Sequence, residues 1–166
     1  MATTLVEFIP QSGFPPSANP ALPVRRGSPA VPMLVFDGTA ETDTTWYWLF
    51  VMPQHYAAGA CQVLIHAAAE VATSGTMRWE VAFADLSDQD LDAIAFAATQ
   101  SAGATAPGTC GAEVIATIAF TAGAQMDGVV AGSMALLMVR RDVDGTTGTD
   151  DMTGDAQVPS VELREI

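Results

Sequence analysis

From residue 76 to 84 the chain reads Thr-Met-Arg-Trp-Glu-Val-Ala-Phe-Ala, so Met77, Trp79, Val81 and Phe83 share one phase and Arg78, Glu80, Ala82 and Ala84 the other. A period of two marks a half-buried β-strand, because successive side chains point to opposite faces of a sheet. The same period returns at residues 113–121, through Val114, Ala116, Ile118 and Phe120, and at residues 61–66, through Cys61, Val63 and Ile65. Residues 5–9, 33–37, 44–52, 133–141 and 158–165 are further apolar, aromatic or β-branched runs. Turn residues separate them: Thr73-Ser74-Gly75, Ala106-Pro107-Gly108, Asp127-Gly128 and Asp144-Gly145. About eight strands at this spacing predict an all-β chain, a single β-sandwich of jelly-roll type. One short helix is expected at residues 88–96, with Ser87 or Asp88 as its cap and Leu91, Ile94 and Ala95 on one face. A second, single turn is expected near Gln125.

Seven of the ten prolines fall between Pro10 and Pro32. Proline lacks a backbone donor and biases its predecessor toward extended geometry, so this stretch is neither helix nor central strand. It reads as an extended arm or as a long surface loop. Residues 1–32 are therefore taken as an N-terminal strand and Pro-rich arm, and residues 33–166 as the sandwich domain. If the arm docks on a neighbour, Pro15, Pro16 and the cationic pair Arg25 and Arg26 are the natural contacts, since a chain restricted in φ loses less entropy on docking. On that reading deleting residues 1–30 leaves a weakened but folded sandwich.

The charge narrows the partners. Nineteen acidic residues face six basic ones, all of them arginine, for a net charge of −13. Binding to nucleic acid needs clustered Lys or Arg against phosphate, and binding to anionic membranes needs the same, so neither partner is expected. Charged residues are only 15% of the chain, below the roughly 25% of ordinary soluble domains. Such a surface suits a protein covered by neighbours. The N-terminus lacks the basic and apolar regions of a signal peptide, and no apolar run reaches the length of a transmembrane helix.

No residue pattern points to an enzyme. His55 and His66 are the only histidines, and neither lies in a catalytic signature. Cys61 and Cys110 are too few for a disulfide framework or a metal site, and read either as buried apolar residues or as one pair. The stretch Asp142-Val143-Asp144-Gly145, with Asp150, Asp151 and Asp155 beyond, is a solvated acidic loop or a calcium loop. Its spacing is not that of an EF-hand. No cofactor and no metal are expected. Trp46, Tyr47 and Trp48 belong to the core, to an interface, or to a sugar-binding platform.

Several segments resemble small virion proteins of tailed bacteriophages. They are Pro53-Gln54-His55-Tyr56 with Gly59, residues 63–66, 73–83 and 106–109, Gly123-Ala124-Gln125-Met126-Asp127-Gly128, Val139-Arg140-Arg141-Asp142, Met152-Thr153-Gly154-Asp155-Ala156, and residues 161–165. The resemblance spans roughly residues 50–165 and is closest in kind to capsid cement (decoration) proteins. It implies a jelly roll that binds the outer capsid surface of a phage head as a homotrimer and clamps neighbouring major capsid proteins. Pro15, Pro16, Arg25, Arg26, Trp46 and Trp48 are the expected partner contacts. The alternative is a carbohydrate-binding jelly-roll module of a phage tail or baseplate.

Overall fold

The alternating runs become strands in two antiparallel sheets. A computed structural model describes residues 2–39, 42–87 and 89–166. In chain order the strands are β1 (Thr3–Phe8), β2 (Leu22–Arg26), β3 (Val31–Phe36), β4 (Thr44–Val51), β5 (Cys61–Ala69), β6 (Thr76–Asp85), β7 (Gln100–Thr105), β8 (Glu113–Phe120), β9 (Met134–Arg141) and β10 (Ala156–Glu165). The first sheet has the order β2-β3-β10-β5-β8, with β1 also paired to β10. The second has the order β4-β9-β6-β7. From β3 onward the pairings nest: β3 with β10, β4 with β9, β5 with β8, and β6 with β7.

The sheets share one core, and the predicted phases of β5, β6 and β8 point into it. Met77, Trp79, Val81 and Phe83 of β6 are buried there. Phe36 of the first sheet meets Trp79 of the second edge-on, with ring centroids 5.0 Å apart, and Phe83 meets Phe120 in the same manner at 4.9 Å. Burying a phenylalanine of this kind contributes about 1.5–3 kcal/mol. Pro159 interrupts β10, where it cannot donate to a ladder, and the register with β5 shifts between Gln157 and Ser160. The opposite edge of β10 changes partner at the same place. Ala156–Val158 pairs with β3, and Val161–Glu165 pairs with β1.

Two expectations change. The described residues hold ten strands, not about eight, and the two extra ones, β2 and β7, are both edge strands. Residues 22–26 and 100–105 carry little apolar alternation, so neither stands out as a strand in the sequence. The helix expected at residues 88–96 does not form. Asp88 lies outside the described residues, and residues 89–96 are turns and extended chain. The Gln89 side chain accepts from the Ala95 N–H at 2.7 Å and donates to the Ala95 carbonyl, while Asp90 accepts from the Asp92 N–H. These local bonds replace helical ones. The segment instead lays Ile94 and Phe96 over Ala84, Leu86 and Leu136, so β6 is buried on both faces. The single turn expected near Gln125 is the 3-10 turn Ala124–Met126.

The Pro-rich stretch lies along its own domain over much of its length. It begins with a 3-10 turn at Pro10–Ser12 and then follows the open edge of β4. Phe14 exchanges backbone bonds with Tyr47, Ala21 donates to Thr45, and Thr45 donates to Asn19. Gly13 permits this approach, since a Cβ there would sit 2.1 Å from Trp46 Nε1. Its last part forms β2 and the start of β3.

Candidate partner-binding surface

β4 alternates Thr44, Trp46, Trp48 and Phe50 inward with Thr45, Tyr47, Leu49 and Val51 outward. Both tryptophans therefore lie in the core. Trp48 packs on Phe8 at 5.7 Å and donates its indole N–H to the Ile9 carbonyl at 2.9 Å. Neither ring is presented to a partner, and neither offers a sugar platform. The outward phase is apolar as well. Leu49 and Val51 are exposed, and so is Met134, the register partner of Val51 on β9. Beside them Tyr47 stacks on Phe96 at 5.7 Å and touches Phe14 at 5.8 Å. Sequence reasoning passed over this patch, although its signal was present: the run at residues 44–52 has no polar residue between Thr45 and Met52.

No protein-family model matches this chain, and no curated protein matches it.

The other expected contacts are split between two places. Pro15 is exposed and Pro16 half-buried on the segment beside β4, whereas Arg25 and Arg26 lie on β2, at the edge of the other sheet. Arg26 pairs with Glu70 at 2.5 Å. The Arg25 side chain has no hydrogen bond or ion pair among the described residues. His66, on the outer face of the first sheet, is held by Glu113 at 2.6 Å. Cys61 is buried, Cys110 is exposed, and both are free thiols.

The acidic loop is organised from within. Of the residues grouped as a calcium candidate, only Asp142 and Asp144 come together, and Asp43 joins them, with carboxylate oxygens within 4.8 Å of one another. Asp150 is bound to Arg141, Asp151 accepts from the Thr76 N–H at 2.6 Å, and Asp155 accepts from the Gly38 N–H. Asp142 receives both the N–H and the hydroxyl of Thr146 and of Thr147. Burial alone would raise its carboxyl, but the bonds from Thr147, Asp144 and Thr146 hold it down at about 2. Burial raises Asp43, against a backbone bond from Asp144 and the charge of Arg140.

The Asp142 shift fixes a pH dependence. A carboxyl lowered by folding stabilises the protein fully above its unfolded value near 4, and that stability is lost as the pH falls toward about 2. The contribution is about 2 kcal/mol. Urea unfolding of Asp142→Asn is expected to show a deficit of this order at pH 6 that closes by pH 2. Parallel curves for wild type and variant over pH 2–6 would show that Asp142 does not carry the acid limb.

Proposed function

We propose that this chain is a structural virion protein: a cement protein of jelly-roll type that attaches to the outer surface of a phage capsid as a homotrimer and clamps neighbouring major capsid proteins. The observation that carries the reading is the nested pairing. β3, β10, β5 and β8 lie in one sheet and β4, β9, β6 and β7 in the other, an order that supports the reading as an eight-stranded jelly roll, an architecture recurrent in viral capsid proteins. In this reading β1 and β2 are additions at the first sheet's margin.

Two further features support it. The segments that resemble virion proteins include joints of the fold. The Tyr56 hydroxyl donates to the Gly59 carbonyl, and Glu165 accepts from the Ala57 and Gly59 N–H groups. Gly75 accepts from Ala106 and packs against the Met152 backbone. A protein that works by attachment also needs an apolar contact area, and Leu49, Val51 and Met134 supply one on the outer face of the second sheet. The Pro-rich stretch, with Pro15 and Pro16 next to Phe14 and Tyr47, extends that face in this reading. The carbohydrate-binding alternative needs an open aromatic ring, and Trp46, Trp48 and the stacked Tyr47 do not provide one.

Because a fold hosts many functions, the assignment turns on binding. The purified chain is expected to sediment as a trimer and to co-sediment with heads stripped of it. Leu49→Glu combined with Val51→Glu is expected to abolish one or both associations while the circular dichroism spectrum stays unchanged. A chain that stays monomeric and leaves stripped heads bare, yet binds on a glycan array, would transfer the assignment to the carbohydrate reading.

A further inference from the structure

Five of the six arginines have partners within the chain. Arg26 pairs with Glu70, Arg140 with Glu80 and Asp43, Arg141 with Asp150, and Arg164 with Glu162, while Arg78 donates to Ser101 and to the Thr147 carbonyl. Arg25 alone has none among the described residues, in a chain with 19 carboxylate side chains. Its position is unusual in a second way. Pro23 opposes Leu34 and Arg25 opposes Pro32, so Arg25 shares the face of β3 that buries Leu34 and Phe36. The other residues of that face are apolar.

Around Arg25 the β2–β3 hairpin and the Pro10–Ser12 turn enclose a cleft of about 250 Å³, lined by Pro10, Gln11, Pro23, Pro32 and their neighbours. The hairpin's outer edge is open, because β2 ends the sheet. Neither Pro23 nor Pro32 can donate to the ladder, so the bonded pairs fall at Leu22, Val24 and Arg26. The N–H and carbonyl of Arg25 then face the open edge. One residue thus offers a guanidinium fork to the cleft and a strand-pairing unit to the edge.

We propose that this cleft binds an extended, carboxylate-bearing segment of a partner protein, with Arg25 as its anchor. The proposal rests on the reading of the chain as a protein-binding module and names the chemistry of one contact. Charge complementarity selects the occupant: a carboxylate accepts two bonds from the fork, and an extended backbone adds to the edge of β2. The proline walls are rigid and lose little entropy on binding.

The test is an NMR titration of the full chain with N-acetyl-(Pro-Glu)3-amide, using N-acetyl-(Pro-Gln)3-amide as the neutral control. Saturable shifts are expected at the Arg25 Nε–H and at the amides of Val24, Arg25 and Met33 with the acidic peptide only. Arg25→Gln should weaken binding at least about tenfold, and Arg25→Lys should fall between, because an ammonium lacks the fork. Equal shifts with both peptides, or unchanged binding by Arg25→Gln, would overturn the proposal. So would concentration-dependent shifts at the same amides without peptide, abolished by Arg25→Gln, since the carboxylate would then come from a second copy of this chain. Failure of the chain to bind stripped heads leaves this titration unaffected, so the two readings fail separately.

Discussion

Arg141→Ala is expected to lower the midpoint of thermal unfolding by roughly 6–20 °C. Arg141 closes β9 with its side chain fully buried, and Asp150, which it binds, is only 3% exposed. The guanidinium makes a two-pronged contact with that carboxylate at 2.8 and 2.7 Å, and its remaining donors reach the carbonyls of Gly154 and Met152. Removing it strands a buried carboxylate and takes the donors from two carbonyls at once, and breaking such a pair costs about 3–5 kcal/mol. The effect should extend along the loop from Asp142 to Asp155, because Asp150 also accepts from the Arg78 N–H. Arg141→Met with Asp150→Asn should recover part of the loss, since the amide oxygen can still serve Arg78 and no buried charge is left. Differential scanning calorimetry of wild type and the two variants measures both effects. A shift under about 3 °C for Arg141→Ala would mean that water replaces the guanidinium at little cost.

What could be read from the sequence depended on whether neighbours along the chain decide the outcome. The strand at β6 was legible because Met77, Trp79, Val81 and Phe83 repeat with one period, and that period holds wherever the core lies. β2 and β7 were not legible. Leu22-Pro23-Val24-Arg25-Arg26 and Gln100-Ser101-Ala102-Gly103-Ala104-Thr105 carry little alternation, and they are strands because a neighbouring strand offers them a ladder. The segment at residues 88–96 has helical spacing at Leu91, Ile94 and Ala95, but Leu136, some forty residues on, needs Ile94 and Phe96 as a cover. Tertiary burial overrode local propensity there.

The contact surface shows the same division. Trp46 and Trp48 stand out in composition and were natural suspects, yet the inward phase claims them, while Tyr47, Leu49 and Val51 in the other phase remain outside. The two phases of β4 are both apolar, so nothing local says which one faces the core. Arg25 and Arg26 are adjacent and chemically identical. They differ because Glu70, far along the chain, reaches only Arg26.

Deleting residues 1–30 is expected to abolish folding, the reverse of what a dispensable arm would give. The segment contains β1, whose residues from Thr3 to Phe8 pair with β10, and Phe8 is buried against Phe50 at 5.2 Å and Trp48 at 5.7 Å. Losing Phe8 alone costs about 3–5 kcal/mol. Losing the Ile9 carbonyl leaves the Trp48 indole N–H unpaired inside the core, for a further ~1–3 kcal/mol. The deletion also uncovers the edges of β4, β3 and β10 together. Against a typical total stability of about 5–15 kcal/mol, these losses leave little or nothing. Substitution within the segment should behave differently. Pro15→Ala with Pro16→Ala touches no core residue and should stay within about 0.5 kcal/mol of wild type, while Phe8→Ala in the full chain should lose most of what the deletion loses from the core. Tryptophan fluorescence and limited proteolysis follow all three, since Trp46 and Trp48 both report on this side of the core. A deletion variant that unfolds cooperatively within a few degrees of wild type would show that β1 and β2 are appendages to a self-sufficient eight-stranded sandwich.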